Sequence, residues 1–299
     1  MVGTGKAPYK NTTATADLAA VAAIGARVYK PFDRKYANKC LDAAKRAYQW
    51  SKEHPNEFFQ RNPNGISTGG YGDGDARDER LWAAAELFRT TGDKQYQDEF
   101  ISLAKVFKDT LLSASPPGWP QVRAMAHMTF VMTNRPNVDK QYQSGVVFDL
   151  ERVADNIVSR TKESGYMMPL ESTEYYWGSN SVVANYALML QVADHVAPKP
   201  QYRQAALDCL HYLLGRNTFA TSFVTQVGTK YAMNPHHRPS RALGLGKPFP
   251  GLLVGGPNAD NGKKPPAKQW EDKWENYRVN EIAINWNAPL VFILAGVMP

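Results

Sequence analysis

The stretch TTGDKQYQDEF, residues 90–100, carries the marks of one helix ending and another beginning. Gly92 can adopt the left-handed conformation that ends a helix, and Asp93 can cap the amino terminus of the next one. Three more stretches repeat this layout: KPFDRKYANKC (30–40), PNVDKQYQSGV (136–146) and APKPQYRQAAL (197–207). Each of the four stretches therefore predicts a tight turn between two helices.

Each of these junctions has a tyrosine at the equivalent point. The four are Tyr36, Tyr96, Tyr142 and Tyr202, separated by 60, 46 and 60 residues. Apolar residues recur at helical spacing through most of the chain, and strand signals are sparse. The sequence therefore predicts an all-α protein with four helical hairpins and a ninth helix at roughly 281–297. We expect residues 1–299 to form a single domain.

The connections between successive hairpins are much longer than the turns within them. They lie at about 55–75, 110–120, 165–178 and 217–280, and they hold most of the tryptophans, glycines and histidines. Helical hairpins stack as an open solenoid or close into an α/α toroid, and long aromatic loops favour a toroid with a binding cleft at its rim. We therefore expect the functional residues on the long-loop side.

The composition argues against several classes of function. The formal charge is +7, but the basic residues are spread along helices among acidic ones, so we expect no nucleic-acid partner. The longest apolar run, 288–298, is too short to cross a bilayer, and residues 1–11 lack the layout of a signal peptide. Cys40 and Cys209 are the only cysteines, too few for a disulfide framework or a cysteine zinc site.

A histidine-containing loop is the first candidate functional segment. In SFVTQVGTKYAMNPHHRPS (222–240), His236, His237 and Arg238 could donate hydrogen bonds to a polar ligand such as a sugar hydroxyl. The alternative is that His236 or His237 only ties the loop to the core. Adjacent histidines are poorly spaced to chelate a metal.

The second candidate segment contains Glu281 at the start of a very apolar helix. An acid at this position can simply favour the helix dipole. The aromatic residues near it in sequence are Trp270, Trp274, Tyr277 and Trp286. A carboxyl group desolvated by aromatic side chains has a raised pKa, which makes Glu281 a candidate general acid.

Two further segments combine turns with functional side chains. In GGYGDGDARDERLWAAAELF (69–88), Asp75 or Asp78 could cap a helix with Glu79 in its first turn, or the acids could hold a cation or form the cleft floor. In PLESTEYYWGSNS (169–181), Tyr176 and Trp177 precede a helix. Exposed rings at such a loop suit the apolar faces of sugars, although most aromatic residues pack in cores.

In this order, the segments resemble the catalytic domain of glycoside hydrolase family 9, the cellulase family once called family E. Residues 222–238 are similar to the family's histidine signature, and YRVNEIAINWNA (277–288) is similar to its glutamate signature. The likeness covers nearly the whole chain, including TATADLAAVAAIGARVYKPFD (13–33). The resemblance implies an (α/α)6 barrel that hydrolyses β-1,4-glucosidic bonds of cellulose or related β-glucans with inversion.

The resemblance also implies roles for individual residues. Glu281 would be the general acid, and His236 and Arg238 would contact sugar hydroxyls. Together with the reasoning from the residues, the candidate substrate-binding positions are Trp119, Tyr176, Trp177, His237, Tyr277 and Trp286. Asp78 and Glu79 resemble ligands of a structural calcium ion found in some members, although Pro120 and Gln121 stand where another acidic ligand would be expected. No cofactor is expected for the chemistry.

The largest departure from the family concerns the catalytic base. The family base belongs to an Asp-Ala-Gly-Asp motif upstream of anything that matches residues 10–30, and this sequence contains no such motif. Asp73 and Asp75 look superficially similar, but DERLWAAAELF (78–88) matches a later family segment. With about nine of twelve barrel helices, residues 1–299 alone are expected to hydrolyse glucans weakly or not at all.

Two other functions stay open at this point. The chain could be a glycan-binding remnant without catalysis, or a helical-repeat scaffold for protein interactions. Family members are mostly secreted, so the resemblance implies a secreted parent protein, and the expected partner is a β-glucan or cello-oligosaccharide with no membrane contact. The oligomeric state and the closure of the barrel are not determined by the sequence.

Overall fold

The computed structural model describes residues 11–66, 69–107, 112, 115–259 and 265–298. This part of the chain contains eleven α-helices and no named β-strand. Nine of the helices have nine or more residues, as the four hairpins and the ninth helix require. The chain divides into two compact units, Met1–Asp149 and Leu150–Pro299. The expected single domain stays a prediction.

The first unit is built from hairpins whose caps are those the sequence predicts. Its helices are α1 (Thr12–Tyr29), α2 (Arg34–Glu53), α3 (Arg77–Thr91), α4 (Lys94–Ala104), α5 (Arg123–Val131) and the first part of α6 (Lys140–Glu163). Asp33 caps α2, Asp93 caps α4, and Gly92 ends α3 with a φ of 73°. Tyr36, Tyr96 and Tyr142 are each the third residue of a helix, which confirms the predicted junctions.

The core of the first unit combines small and aromatic side chains. Buried alanines on α1, such as Ala19 and Ala23, let this helix pack closely against α2 and α3. Farther along the chain, the rings of Phe100 and Phe130 stack with centroids 4.5 Å apart. His127 is buried beside Phe100, and burial lowers its pKa to about 4.

The second unit holds the rest of α6, followed by α7 (Ser179–Val196), α8 (Pro200–Leu213), α9 (Arg238–Ala242), α10 (Tyr277–Asn280) and α11 (Ile284–Val297). Helix α7 is apolar around most of its surface because it packs against both α8 and α11. The amide of Gln191 on α7 donates to the carbonyl of Ile293 on α11 at 2.9 Å. No helix within the described ranges is long and apolar enough to cross a membrane.

Two local predictions are corrected by the structure. The last long helix begins at Ile284, so Glu281 lies before it in extended backbone and not at its first turn. Neither Asp75 nor Asp78 caps α3, whose N-cap is Ala76 with no side-chain hydrogen bond. Asp75 binds Arg77, and Asp78 lies inside the helix, where it accepts the N–H of Val122 at 2.6 Å.

Candidate active site

Short β-bridges fix the backbone around Glu281 in the second unit. Val254 bridges to Ile282, and His236 bridges directly to Glu281. The N–H of Gly255 donates to the Glu281 carbonyl at 3.0 Å. Two segments distant in sequence therefore hold Glu281 from either side. A helix start, which the sequence predicted here, would have left it on a single element.

Two glycines allow the segments of the site to approach each other. At Gly178, where φ is 90°, a Cβ atom would lie 2.8 Å from the indole of Trp286. At Gly256, where φ is 91°, a Cβ atom would overlap the side-chain amide of Asn180. That amide donates to the Val254 carbonyl at 2.9 Å. The start of α7 is thereby tied to the bridged segment that supports Glu281.

The carboxyl group of Glu281 is half-buried and, among the described residues, has one side-chain hydrogen-bond partner. The indole N–H of Trp177 donates to its Oε2 at 3.1 Å. Because an indole nitrogen only donates, Oε2 is engaged as an acceptor. Oε1 is therefore the oxygen that can carry a proton and present it to a ligand.

His236 is oriented by two backbone carbonyls of the segment that precedes Glu281. Its backbone N–H donates to the Asn280 carbonyl at 2.7 Å, and its ring nitrogen Nδ1 lies 2.9 Å from the Trp274 carbonyl. A carbonyl only accepts, so Nδ1 carries the hydrogen and Nε2 is left to meet a ligand. The histidine thus ties its loop in place, as one interpretation of the sequence expected, and still has a nitrogen available for a ligand.

Aromatic rings extend from His236 along the site. The His236 ring lies 4.5 Å from that of Trp274 and 5.8 Å from that of Tyr277. Trp177 follows, 5.5 Å from Tyr277. Trp177 and Tyr277 are 43% and 47% exposed, and Tyr176 is exposed next to them. Their uncovered ring faces suit the apolar faces of sugar rings.

Asp272 is the residue of this site that the sequence reasoning missed. It accepts the backbone N–H groups of Met233 and Asn234 at 2.7 and 2.9 Å, and the amide of Asn280 at 3.0 Å. It therefore joins the histidine loop to the residue before Glu281. Since both carboxylate oxygens accept such bonds, Asp272 is placed to hold the site together and not to activate water.

The remaining candidates of the second unit lie beside this centre. His237 bonds Ser240 Oγ through Nδ1 at 2.8 Å, and burial lowers its pKa. Arg238 is exposed at the first position of α9. Trp286 is only 8% exposed and packs against Gly178. Its ring therefore offers a ligand little surface, and the substrate-binding role of Trp286 stays a prediction.

In the first unit, Trp119 is half-exposed and its ring lies 5.4 Å from that of Tyr71 in an edge-to-face arrangement. Asp73 and Asp75, the two residues that resemble the catalytic base motif, each interact with a neighbouring residue. Asp73 accepts the N–H of Asp75 at 3.1 Å, and the Arg77 guanidinium holds the pKa of Asp75 below its usual range. The roles of Trp119, Asp73 and Asp75 stay predictions.

The possible calcium ligands form part of a buried acidic cluster, which we define as Asp17, Asp73, Asp78 and Glu79. Burial raises the pKa of Asp17 to about 7 and that of Glu79 to about 10, with the neighbouring carboxylates adding to both shifts. Within the described residues, no three His, Cys, Asp or Glu side chains are arranged to hold a metal ion. The structural calcium ion implied for Asp78 and Glu79 stays a prediction, as does the expectation that the chemistry needs no cofactor.

Comparison with known proteins gives a consistent result. The model of the family described as Glycosyl hydrolase family 9 matches residues 4–294. Endoglucanase D of Acetivibrio thermocellus is 39% identical over 96% of this chain and 44% of its own length. A xyloglucan-specific endo-β-1,4-glucanase of Bacteroides ovatus, BoGH9A, is 31% identical over 96% of this chain and 51% of its own. The chain thus spans about half the length of these relatives.

Solved structures support the same relationship. The crystal structure of a family 9 endoglucanase, J30, superposes with a TM-score of 0.88 and 37% identity, over 95% of this chain and 54% of that one. AaCel9A in complex with cellobiose-like isofagomine gives a TM-score of 0.87 and 34% identity, over 96% and 55% of the two chains. The expected fold class, all-α of the (α/α)6 type, is confirmed by this similarity. The chain belongs to glycosyl hydrolase family 9.

Proposed function

We propose that this chain supplies the general acid and part of the substrate-binding surface of an inverting hydrolase of β-1,4-glucans. The observation that carries the proposal is the position of Glu281. Its backbone is held by Gly255 and His236, and its carboxyl group lies at an open row of aromatic rings. This combination provides a proton donor beside a surface that suits a sugar chain.

In the proposed mechanism, Trp177 and Tyr277 stack against sugar rings while Glu281 protonates the leaving glycosidic oxygen from Oε1. The bond from the Trp177 N–H to Oε2 fixes the direction of the proton and stabilises the carboxylate that remains. Nε2 of His236 and the guanidinium of Arg238 are available for sugar hydroxyls. No metal takes part in these steps.

Inversion also requires a second carboxylate, about 6.5–9.5 Å from the acid, to activate water. The sequence lacks the Asp-Ala-Gly-Asp motif that supplies it in the family, and the oxygens of Asp272 are engaged. General acid and general base catalysis each contribute about 10²–10⁴-fold. We therefore propose that residues 1–299 alone hydrolyse β-1,4-glucans slowly.

The proposed substrate is cellulose, a soluble cello-oligosaccharide or a related β-glucan. Support comes from the names of the relatives, which include an endoglucanase and a xyloglucan-specific endo-β-1,4-glucanase, and from the cellobiose-like ligand of AaCel9A. Because polymeric cellulose cannot enter a cell, we further propose that the parent protein is secreted.

Two substrates that differ in leaving group test the proposal. Cellohexaose needs a proton on its leaving oxygen, whereas 2,4-dinitrophenyl β-cellobioside does not. Glu281→Gln should lower release of sugars from cellohexaose by about 10²-fold or more and change release of dinitrophenol much less. Glu275→Gln, an exposed glutamate of the same segment, is the control. An equal loss of rate on both substrates would exclude Glu281 as the general acid.

Added azide tests the second part of the proposal. Azide is a nucleophile that needs no general base, so it should raise the rate on 2,4-dinitrophenyl β-cellobioside if the chain lacks one. The product would be an α-cellobiosyl azide, which mass spectrometry and NMR identify. Full turnover of cellohexaose without azide would contradict a missing base.

A second candidate function is glycan binding without catalysis. It is favoured by the exposed aromatic pair Trp177 and Tyr277 together with the missing base motif. Calorimetric titration with cellohexaose separates the two functions. Binding by both the unmodified chain and Glu281→Gln, with no product after prolonged incubation with azide, would support the binding function alone.

A further inference from the structure

A cavity of about 560 Å³ lies beside the histidine loop of the second unit. Three segments line it: residues 233–235, residues between 240 and 248 from α9 onward, and residues 272–275. Small-molecule sites in proteins are clefts of about 300–1,000 Å³ in which a few polar groups stand among apolar ones. The cavity therefore has the size to take a sugar ring.

The loop that follows α9 forms one wall of the cavity. Gly244 and Gly246 have φ values of 61° and 69°, and these left-handed residues bend the chain back on itself. Beyond them, the N–H of Phe249 donates to Oγ of Ser240 at 2.9 Å. The end of the loop is thus tied to its beginning, and the wall that carries Lys247 is closed by a bond within the loop.

Two cationic side chains line the cavity without an acidic partner. The guanidinium carbon of Arg241 lies 4.5 Å from the ring centroid of Trp274, in a cation–π contact. Lys247 belongs to the same lining. No carboxylate of the described residues forms an ion pair with Arg241 or Lys247. Their N–H groups are therefore left for an anionic ligand.

The acidic residues near the cavity have donors of their own. Asp272 accepts two backbone N–H groups and an asparagine amide. Lys273 forms an ion pair with Glu271 at 2.5 Å, and the pKa of Lys273 is raised first by Glu271 and further by Glu275. These carboxylates are thus occupied by other partners and do not neutralise the two cations described above.

Apolar groups complete the lining of the cavity. They are the exposed side chains of Leu245 and Met233 and the ring of Trp274. A bare inorganic anion would leave these groups in water. A sugar acid presents an apolar ring face to them and a carboxylate to Arg241 and Lys247. The combination therefore fits a sugar acid better than a small free anion.

Trp274 connects the cavity to the candidate site. Its ring lies 4.5 Å from the guanidinium carbon of Arg241 and 4.5 Å from the ring of His236. Its carbonyl also holds Nδ1 of His236. A glucan stacked on Trp177 and Tyr277 reaches His236 along the same row of rings. A side group on that glucan is thereby brought next to the cavity.

We propose that this cavity, which we call the acid-group pocket, binds a carboxylate carried on a side group of the glucan, such as a uronic acid branch. The guanidinium of Arg241 donates two parallel N–H bonds to the carboxylate, and Lys247 supplies a second positive charge. The preferred substrate is then an acidic β-glucan. The glucan part of this inference rests on the proposed function, whereas binding of a sugar acid rests on the pocket alone.

The test compares methyl β-D-glucuronide with methyl β-D-glucoside, which differ only in the carboxylate. Each is titrated into the nitrogen-15-labelled chain, and NMR follows the indole signal of Trp274, which Trp274→Phe assigns. The expected result is saturable binding of the glucuronide, at least about tenfold tighter than that of the glucoside. Equal affinities, or no binding of the glucuronide, would overturn the acid-group pocket.

Substitutions identify the residues that bind the glucuronide. Arg241→Gln should weaken binding about tenfold, because the paired bonds to the carboxylate are lost. Lys247→Gln, which leaves the Arg241–Trp274 contact in place, should weaken it about threefold. Lys162→Gln, at an exposed lysine of α6 outside the pocket, is the control, and circular dichroism checks that each variant folds. Affinities of the two pocket variants that equal the control would overturn the assignment. Inorganic phosphate that binds as tightly as the glucuronide would overturn it in favour of a free anion.

Electrophoresis through gels that contain carboxymethyl cellulose or hydroxyethyl cellulose tests the glucan part. With migration expressed relative to a gel without polymer, carboxymethyl cellulose should retard the chain more than hydroxyethyl cellulose does. Arg241→Gln should lose this excess, and Lys162→Gln should keep it. An equal loss in both variants would show general charge attraction and overturn this part. Binding of the glucuronide with retardation by neither polymer would support the pocket and contradict the proposed glucan substrate.

Discussion

Asp272 in the second unit and Asp17 in the first are carboxyl groups in opposite surroundings. Asp272 accepts hydrogen bonds from two backbone N–H groups and an asparagine amide. Asp17 has a buried oxygen, Oδ1, to which no described residue gives a hydrogen bond, and it stands near Asp73 and Asp78. The first carboxylate stabilises the loop around it, whereas the second is costly to ionise. Burial without a hydrogen-bond donor therefore makes a carboxyl group costly to ionise, whereas donated hydrogen bonds let a carboxylate stabilise its loop.

Among the variants that test this comparison, Asp272→Asn is expected to have the largest effect on stability. An asparagine amide would turn a donor toward the N–H groups of Met233 or Asn234, so the substitution should lower the free energy of unfolding by about 4 kcal/mol. Urea unfolding followed by tryptophan fluorescence measures this change. Glu275→Gln on the same segment should change it by less than about 0.5 kcal/mol. Similar values for both variants would show that the Asp272 bonds do not stabilise the fold.

Asp17→Asn should raise the free energy of unfolding, whereas Asp272→Asn lowers it. The pKa of Asp17 is about 7 in the folded protein against 3.8 normally, so between these values the folded state keeps a proton that the unfolded state loses. Stability is therefore lost as pH rises from about 4 to about 7. The variant should match the unmodified protein near pH 4 and exceed its unfolding free energy by about 4 kcal/mol at pH 8. An unchanged slope of stability against pH would contradict the assignment.

His127 extends the comparison to a buried base. Its pKa falls to about 4 from 6.5, first because of burial, so the unfolded state binds a proton more readily than the folded one. Stability should therefore fall by up to about 3 kcal/mol as pH drops from 6.5 to 4, the reverse of the Asp17 slope. His127→Gln should remove this part of the acid sensitivity, as thermal unfolding at several pH values would show. A variant that kept the full acid sensitivity would exclude His127 as its source.

Trp177→Phe should have the smallest effect. It keeps a ring for stacking but removes the N–H that binds Glu281, at a cost of about 1 kcal/mol in the proposed transition state, or a rate about fivefold lower. The loss should appear in kcat for cellohexaose, with KM little changed. Trp177→Ala should raise KM as well. A KM effect alone with Trp177→Phe would show that the indole acts only as a stacking surface.

Local chemistry explains which parts of the structure the sequence revealed. The hairpins could be predicted because Asp33, Asp93 and Gly92 act within a few residues of themselves. Glu281 was misplaced onto a helix because its conformation depends on pairing with His236, 45 residues away. Asp272 was missed since its partners Met233 and Asn234 lie 38 or more residues earlier. Aromatic spacing alone did not indicate these partners.

Trp286 lies on the inner side of α11, beneath the glycine that follows Trp177. A small rotation of α11 would shift the Trp286 indole and, through Gly178, the N–H that reaches Glu281. The outer side of this same helix is apolar and exposed, as Val291 and Phe292 show. A substitution that changes the packing of α11 is therefore expected to move the indole N–H that holds Oε2 of Glu281.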